Sequence, residues 1–322
     1  MRFTLRQLEY FVAAGETGSI TLASERIAIS QPSISTAISH LEKELGVQLF
    51  VRHHAQGLSL TPAGKRLLRE AKGLLQQAEA LYDAAGEASG QIRGRLTVGC
   101  LITLAPMVIP ELSHSFMVAF PDTFVHQVED DQERLLDALR KAETDIAITY
   151  DLQLSDDIAF EALATLPPHV VVSESHPFAG KAKVGLVELA DEPMILLDLP
   201  FSREYFLALF MAEGLAPNIQ ARSAHQDVVR TMVANGYGYS LFNAFPRSDQ
   251  ALDGRRLVRV PLAGKPRPMR LGMATATQVK PLRLVEAFQA HCRSVVSDSY
   301  IPGMVPPVAG NKGKKATEKP RR

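Results

Sequence analysis

One face of a predicted helix near the N terminus carries short hydroxyl side chains. A 100° wheel drawn over residues 30–45 places an apolar stripe on one side, formed by Ile34, Ala37, Ile38, Leu41 and Leu45. The opposite side presents Pro32, Ser33, Ser35, Thr36, Ser39, His40 and Lys43. Short hydroxyl side chains approach base edges and phosphates closely, so this face suits a helix that lies in the major groove of DNA. A solvated helix face would give the same wheel, and the wheel alone favours that interpretation.

Patterns typical of enzymes and metal sites are missing from the sequence. There is no Gly-rich phosphate loop and no Gly-x-Ser-x-Gly motif, and the 9 histidines lack metal-ligand spacing with acidic partners. The two cysteines, Cys100 and Cys292, are too few for a disulfide scaffold, which fits a reducing compartment. The sequence therefore predicts a protein that is not an enzyme and binds no metal or cofactor.

The chain is long enough for more than one domain. Its 322 residues predict about two domains at roughly 150 residues each. Lys plus Arg (35) equals Asp plus Glu (35), which excludes a uniformly polycationic surface. The stretch 1–10 lacks the apolar core of a signal peptide, and the most apolar window, 96–112, is short for a membrane span and contains Pro106 and Pro110. We therefore expect a cytoplasmic, globular protein with no membrane partner.

The pattern of predicted elements changes near residue 95. Residues 5–45 show three closely spaced helices, in which Gly15 and Gly18 break the first, and Ser30 is placed to cap the third. Beyond 95, predicted strands lie at 96–99, 123–128, 145–150, 169–172, 193–198, 237–242 and 270–274, and predicted helices at 104–119, 131–142, 203–213, 225–235 and 281–297. This alternation predicts parallel sheets with crossover helices.

A long helix with an apolar seam connects the two patterns. Thr61 and Pro62 favour a helix start, and apolar residues then recur at spacings of four, three and seven along 61–89. The seam predicts a dimer interface formed by Leu67, Ala71, Leu74, Leu75, Ala78, Leu81 and Tyr82. The alternative is that the helix packs on the second domain of its own chain. Gly86, Ser89, Gly90 and Gly94 follow as a predicted interdomain hinge.

The first sixty residues resemble the winged helix-turn-helix of LysR-type transcriptional regulators. The similarity is carried, without gaps, by LRQLEYF at 5–11, GSITLA at 18–23, SQPSIS at 30–35, LEKELGVQLF at 41–50 and LTPAG at 60–64. By position, the resemblance implies DNA contacts at Gln31, Pro32, Ser33, Ser35, Thr36 and Ser39, with Arg52 and His53 in the wing. Many members of the family have a basic residue where this chain has Thr36 or Ser39. The departure suggests weaker direct readout from the helix.

The resemblance extends to the fold of the remaining chain. It implies an α/β protein with an all-α N-terminal winged helix-turn-helix, a long linker helix and a two-lobed effector domain like periplasmic binding proteins. Pro167 and Pro168 suit the exit from lobe I, and 264–268 suits the return crossing. The expected domains are 1–60 for DNA binding, 61–90 for the linker, 91–300 for the effector (lobe I 96–166 and 269–300, lobe II 167–268) and 301–322 for a disordered basic tail. The tail either solubilises the protein or adds attraction to phosphates.

Ligand-binding residues are expected where strands end and helices begin, at the opening between the lobes. The candidates are Cys100, Thr103, Asp131, Gln132, Tyr150, Ser202, Arg203 and His225. Each has a simpler alternative: Thr103 as a helix cap, Asp131 as a partner of the helix dipole, and Arg203 as a solvated cation rather than a partner of a carboxylate or phosphate. Cys100 is expected to be a small buried apolar residue, and redox sensing is not predicted.

These observations predict a regulator of transcription that responds to a ligand. Its expected partners are double-stranded DNA with a promoter pseudo-palindrome, an unidentified small-molecule effector, RNA polymerase, and further copies of the chain as a homodimer or homotetramer. The alternative is a cytoplasmic protein for small-molecule binding or transport, in which the first ninety residues serve only for assembly.

Overall fold

The computed structural model describes residues 3–53, 57–87, 92–279 and 281–306, and the chain divides into two compact units. The first unit runs to Gly94 and takes in the turn 140–143, and the second contains the other residues. The predicted basic stretch 311–322 and the hinge residues Ser89 and Gly90 lie outside the described residues.

The first unit combines helices with a two-stranded wing. Its elements are α1 (Leu5–Thr17), α2 (Ile20–Ile27), α3 (Gln31–Leu45), β1 (Phe50–His53), β2 (Gly57–Leu60) and α4 (Pro62–Glu87). β1 and β2 pair antiparallel, with Phe50 opposite Leu60. The rings of Phe11 in α1 and Phe50 in β1 pack edge to face with their centroids 5.6 Å apart, which joins the wing to the helical core.

The first helix does not break at Gly15, as the sequence pattern predicts. α1 continues to Thr17 and ends at Gly18, which adopts a left-handed φ of 63°. A Cβ atom at Gly15 would lie 2.9 Å from Leu68 Cδ1. The break prediction was wrong because Gly15 serves close packing of α4 on α1 rather than a turn.

The chain beyond the first unit alternates strands and helices. In order it forms β3 (Gly94–Leu101), α5 (Ala105–Ala119), β4 (Thr123–Asp130), α6 (Gln132–Arg140), β5 (Ile146–Tyr150), β6 (Ile158–Leu166), β7 (His169–Ser173), α7 (Leu186–Ala190), β8 (Pro193–Leu197), α8 (Ser202–Met211), β9 (Asn218–Ser223), α9 (Gln226–Ala234), β10 (Ser240–Phe242), β11 (Leu257–Pro261), β12 (Met269–Ala276) and α10 (Arg283–Val295). Lobe I contains β3 to β6 and β12, with α5, α6 and α10. Lobe II contains β7 to β11, with α7 to α9.

The sheet of lobe I is mixed, whereas the sequence predicts parallel sheets. Its five strands lie in the order β4-β3-β5-β12-β6. β3 and β5 are parallel, with Val98 beside Ile146, but β12 runs antiparallel to both β5 and β6. The prediction was wrong because β12 returns from lobe II in the opposite direction, and because the sequence pattern missed β6.

Lobe II is built on two sets of strands. β7 lies between β10 and β11 in an antiparallel sheet, and β8 pairs parallel with β9. The Ile195 N–H donates to the Tyr239 carbonyl at 2.8 Å, and the Tyr239 N–H donates to the Pro193 carbonyl at 2.9 Å. These bonds join the two sets, so the ends of β8 and β10 lie close together.

The chain crosses between the lobes after Leu166 and again before Met269, where the sequence predicts both crossings. A buried carboxylate fixes the second crossing. Asp151 accepts hydrogen bonds from the Arg270 backbone N–H and from Arg270 Nε, both at 2.7 Å. Asn243 Nδ2 donates to the Leu166 carbonyl at 2.7 Å and so ties β10 to the first crossing.

Residues 300–305 form a third connection between the lobes. The Tyr300 hydroxyl donates to Glu111 Oε1 of α5 at 2.5 Å, and the Arg247 N–H of lobe II donates to the Gly303 carbonyl at 3.0 Å. Ile301 and Met304 are buried. The expectation that disorder begins at residue 301 is therefore wrong for 301–306.

Across the described residues, no helix combines the length and the apolarity that a membrane span requires.

Candidate functional site

The hydroxyl face predicted from the sequence is exposed on α3. Exposed positions on this face are Gln31, Pro32, Ser33, Thr36 and Ser39, and Ser35 is half-buried. Ile34, Ile38 and Leu41 on the opposite side are at most 2% exposed and pack into the core. Because this apolar stripe fixes the rotation of α3, the short polar side chains face away from the unit.

The start of α3 differs in detail from the prediction. Ser30 precedes the helix, but its side chain makes no capping hydrogen bond, so the predicted side-chain cap is wrong. Ser30 Oγ instead lies 2.8 Å from Ser33 Oγ. The two hydroxyl groups form a polar pair at the beginning of the exposed face.

Polar contacts hold α3 against its neighbours. Gln7 Nε2 of α1 lies 3.2 Å from His40 Nδ1. Glu42 Oε1 accepts hydrogen bonds from the backbone N–H groups of Leu49, at 2.7 Å, and Phe50, at 3.2 Å. The carboxylate of Glu42 therefore fixes the position of the wing relative to α3.

The wing carries the other predicted DNA contacts. Arg52 and His53 lie on β1, opposite Leu58 and Gly57 of β2. The side chains of Arg52 and His53 lie outside the described residues. Their backbone positions place them on the strand that Glu42 ties to α3.

The apolar seam of α4 is partly used within the chain. Ala71 is 3% exposed, and Leu67 and Leu75 pack beside it on the core of the first unit. The assignment of Ala71 to a dimer interface is corrected, because this side chain is already covered within one protomer. Leu74 is 46% exposed and Ala78 is half-buried. The side chains of Leu81 and Tyr82 lie outside the described residues.

Side chains from both lobes meet around a small space, here called the inner cavity. Its polar lining comprises Thr103, Tyr150, Ser202, Gln226 and Asn243. The volume is about 20 Å³, which is room for about one water molecule. The lobes therefore close on these side chains, and a larger ligand requires them to move apart.

A larger space, here called the outer cavity, adjoins the inner cavity. Thr103 and Gln226 line both cavities, and His225, Arg230 and Ser248 line the outer one. The outer cavity has a volume of about 780 Å³, which is within the usual range for small-molecule sites.

The structure brings together half of the predicted ligand-binding set. Thr103, Tyr150, Ser202 and His225 line one or both cavities. Burial raises the pKa of Tyr150 well above its usual value, and a hydrogen bond with Thr103 offsets only part of this effect. Tyr150 is therefore a neutral hydrogen-bonding group in the inner cavity.

The other predicted residues, Cys100, Asp131, Gln132 and Arg203, line neither cavity. Gln132 is buried, and its Nε2 donates to the carbonyls of Tyr150, at 3.2 Å, and Leu152, at 2.6 Å. Asp131 Oδ1 accepts from the Arg134 N–H at 3.0 Å. These two side chains therefore hold the ends of β5 and α6.

Arg203 forms ion pairs within its own lobe, and Cys100 is buried. Arg203 Nη1 donates to Asp198 Oδ1 at 2.7 Å, and its Nη2 donates to Glu204 Oε1 at 2.5 Å, so its charge is already paired. Cys100 is 1% exposed, and burial raises the pKa of its thiol well above the usual value. Burial also raises the pKa of Cys292 to about 12. Both thiols are held in their protonated, unreactive form.

Several polar residues at the cavities were missed by the sequence analysis, among them Gln226, Arg230 and Asn243. Gln226 begins α9, Arg230 lies one helical turn later, and Asn243 directly follows β10. Asn243 satisfies the rule that selects strand ends, because it directly follows the predicted strand at 237–242. Within the described part of the chain, no cluster of three or more His, Cys, Asp or Glu side chains is arranged to hold a metal ion.

Comparison with known families accounts for both units. A family model described as "Bacterial regulatory helix-turn-helix protein, lysR family" matches residues 5–65, and one described as "LysR substrate binding domain" matches residues 89–297. The chain belongs to the LysR family of bacterial transcriptional regulators. Its predicted fold class and its role as a DNA-binding, effector-responsive regulator are confirmed. Because LysR-family proteins are regulators, the non-enzymatic prediction is confirmed and the transport alternative is set aside.

Individual LysR-family proteins resemble the chain over most of its length. The HTH-type transcriptional regulator CysB of Haemophilus influenzae is 30% identical over 244 residues, which are 74% of this chain and 74% of CysB. The crystal structure of HinK from Pseudomonas aeruginosa, 38% identical, covers 92% of this chain and 99% of HinK with a TM-score of 0.62. A full-length variant of OxyR from Pseudomonas aeruginosa, 26% identical, covers 90% of this chain and 98% of the OxyR chain with a TM-score of 0.70.

Proposed function

We propose that this LysR-family regulator binds a promoter pseudo-palindrome as a homodimer, and that a small molecule between the two lobes modulates this binding. The exposed hydroxyl face of α3 carries the proposal. Its side chains are backed by a buried stripe and tied to the wing through Glu42. We assign DNA binding to 1–60, the linker to 61–90 and effector binding to 91–300.

The proposed DNA contacts are Gln31, Pro32, Ser33, Ser35, Thr36 and Ser39 on α3, with Arg52 and His53 on the wing. Short side chains at Thr36 and Ser39 give the helix few long donors for bidentate base contacts. We therefore assign a substantial part of the sequence preference to the deformability of the DNA.

The proposed dimer joins two α4 helices. The exposure of Leu74 supports a partner helix on that side of the seam, because an exposed leucine flanked by Leu67, Leu75 and Ala78 gains stability when a second chain covers it. A dimer presents two α3 helices to two half-sites, which gives the pseudo-palindrome. Exposed Val118 and Phe124 in lobe I support further pairing into a homotetramer.

The proposed effector site comprises the inner and outer cavities. Thr103, Tyr150, Ser202 and His225 belong to it, together with Gln226 and Asn243. A ligand that binds one arrangement of the lobes better than another shifts the population toward that arrangement. The shift changes the spacing of the DNA-binding domains and the access of RNA polymerase. A regulator of this kind acts on DNA, so we place it in the cytoplasm.

The test is fluorescence-anisotropy binding to the DNA immediately upstream of the protein's own gene, with scrambled DNA as competitor at fixed physiological salt. We expect a preference of about a hundred-fold or more for the upstream fragment. We also expect loss of this preference when one half-site of the pseudo-palindrome is scrambled. Equal, salt-sensitive binding to both fragments would contradict the proposal.

A further inference from the structure

Arg230 is a buried cation without an ion-pair partner among the described residues. The residue is 4% exposed, and its Nη2 donates to the carbonyls of Ser248, at 3.2 Å, and Gln250, at 3.0 Å. Among the residues that the structure describes, no carboxylate forms an ion pair with Arg230. Two carbonyls and the Phe245 ring, 5.6 Å away, stabilise this guanidinium, but its charge has no counter-ion, which favours binding of an anion beside it.

Other arginines in the second unit show the opposite arrangement. Arg203, Arg256, Arg270 and Arg293 are more exposed than Arg230, yet each pairs with a carboxylate. The carboxylate of Asp249 near Arg230 is already bound by Arg256 at 2.7 Å. Asp249 is therefore already paired with a different arginine.

Burial lowers the pKa of Arg230, and the negative charges of Asp227, three residues earlier on α9, and Asp249 oppose this effect. Asp227 is exposed and also lines the outer cavity. The exposed carboxylate is screened by water, whereas the buried guanidinium is not. The local environment therefore favours an anion beside Arg230 and, near Asp227, tolerates a hydrogen-bond donor or a positive group.

The same helix face carries an unsatisfied acceptor. Gln226 and Arg230 are four residues apart on α9, so they lie on one face, and both line the outer cavity. Gln226 Oε1 and Asn243 Oδ1 are buried without a hydrogen-bond partner among the described residues. Unsatisfied buried acceptors are rare in folded proteins and are stabilised by an O–H or N–H group.

We infer that the ligand of these cavities is a small organic acid that also carries a hydroxyl or amino group. The inference rests on the proposed effector site and specifies its ligand. The carboxylate binds the Arg230 guanidinium in the outer cavity, and the O–H or N–H group donates to Gln226 Oε1 at the junction with the inner cavity. Thr103 lines both cavities beside this junction and supplies a further hydroxyl contact. This arrangement gives Arg230, rather than the paired Arg203, the role of anion-binding residue.

The experiment measures the thermal unfolding of the full chain by dye fluorescence in titrations with matched probes. The probes are butyrate, 3-hydroxybutyrate and 3-aminobutyrate, each compared with the amide that replaces its carboxylate. We expect 3-hydroxybutyrate or 3-aminobutyrate to raise the Tm more than butyrate does, and the amides to give no rise. The comparison of hydroxy acid with amino acid identifies the donor group. Equal stabilisation by an acid and its amide, or no stabilisation by any acid, would overturn the inference.

Variants assign the effect to Arg230. R230Q should weaken binding of the stabilising acid by at least about 30-fold, because a charged hydrogen-bonding partner is removed. R259Q is the matched control: Arg259 and Arg230 each lie 5.6 Å from the centre of the Phe245 ring, but Arg259 does not line the cavities. Q226L removes the acceptor Oε1 without changing the charge. It should abolish the preference for the donor-bearing acid over butyrate. Unchanged acid binding by R230Q or an unchanged preference in Q226L would overturn the inference, and the Q226L result decides if R230Q fails to fold.

Binding of ligand-free wild type and R230Q to the upstream DNA separates this inference from the proposed function. Selective DNA binding by wild type and R230Q, combined with no response to any acid, rejects the ligand class and retains the regulator. If wild type does not bind the upstream DNA selectively, the proposed function itself is rejected.

Discussion

The DNA-binding unit and the two-lobed unit present their polar residues in different ways. The face of α3 consists of neighbouring residues on one helix, exposed to solvent above a buried stripe. The polar lining of the inner cavity comes from α8, α9 and the ends of three strands, which lie far apart in the sequence. A periodic pattern predicts a site on one helix, but it does not predict which distant loops meet.

The two regions also differ in how their polar groups are satisfied. The hydroxyls of Ser33, Thr36 and Ser39 on α3 are exposed to water. We propose that DNA replaces this water. Gln226 Oε1 and Asn243 Oδ1 are buried without partners among the described residues, and Arg230 is buried without a counter-ion there. The polar groups of the first region are therefore open to a large surface. In the second region we propose that a small molecule supplies the missing partners of Arg230 and Gln226.

The largest effect on DNA binding is expected from a negative charge on the exposed face of α3. Ser33→Glu should reduce affinity for the upstream DNA by at least about a hundred-fold, because a long acidic side chain is repelled by the phosphates and blocks close approach. Ser33 is exposed, so the Tm should stay within about 2 °C of wild type. Anisotropy titration and thermal unfolding measure the two quantities.

Ser294→Glu is the matched control, because it adds the same charge at an exposed position on α10 of the second unit. It should leave DNA affinity unchanged. Equal losses in the two variants would mean that overall charge, rather than the face of α3, controls binding.

Neighbouring positions on α4 distinguish packing within a chain from packing between chains. Leu74→Glu should weaken the dimer by at least about tenfold, since an exposed leucine loses its apolar contact with the partner. Ala71→Leu should instead destabilise the protomer by about 1–3 kcal/mol, because Ala71 is buried against the first unit. Analytical ultracentrifugation and denaturant unfolding measure these effects. A dimer unaffected by Leu74→Glu would show that Leu74 lies outside the interface.

The buried His169 makes the stability of the second unit depend on pH. Burial, followed by the nearby charge of Arg259, lowers the pKa of His169 to about 3. The unfolded chain takes up a proton near pH 6.5, whereas the folded chain does so only near pH 3, so stability is complete above pH 6.5 and falls as the pH is lowered. The loss is up to about 1.4 kcal/mol per pH unit.

His169→Gln should remove this part of the pH dependence, as measured by denaturant unfolding at pH 7 and pH 5. The comparison is between the slopes of the two proteins, because carboxylates elsewhere titrate in both. Identical slopes would show that His169 has the same pKa in the folded and the unfolded chain.

The smallest expected effect is at the edge of the cavities. Thr103→Val keeps the shape of the side chain but removes its hydroxyl, which is worth about 1 kcal/mol. The variant should bind the stabilising acid about fivefold more weakly and bind DNA as wild type does. Thermal-shift titration measures the acid affinity, and anisotropy measures the DNA affinity. An unchanged acid affinity would show that Thr103 does not contact the acid.

Much of the fold follows from local patterns in the sequence. The hydrophobic period located α3, and the strands at 145–150 and 193–198 were placed within one residue of β5 and β8. The antiparallel return of β12 was missed because strand direction depends on the path of the chain through lobe II. The role of Gly15 was missed because its close neighbour, Leu68, lies on a different helix.

The candidate site was predictable only in part. Of the residues selected at strand ends and helix starts, Thr103, Tyr150, Ser202 and His225 line the cavities, and their contact with a ligand stays a prediction. They also selected Arg203, whose charge is taken up by Asp198 and Glu204. Whether a charged side chain is paired depends on its tertiary neighbours, so the sequence alone could not distinguish Arg203 from Arg230.

The most direct test of the division between the two regions is hydrogen–deuterium exchange of the full chain, alone, with upstream DNA, and with the stabilising acid. We predict that DNA slows exchange of backbone amides at 31–39 and that the acid slows exchange at 226–230 and 243–250, because each ligand contacts only its own region. Protection of 226–230 and 243–250 by DNA without protection of 31–39, or protection of 31–39 alone by the acid, would contradict this assignment.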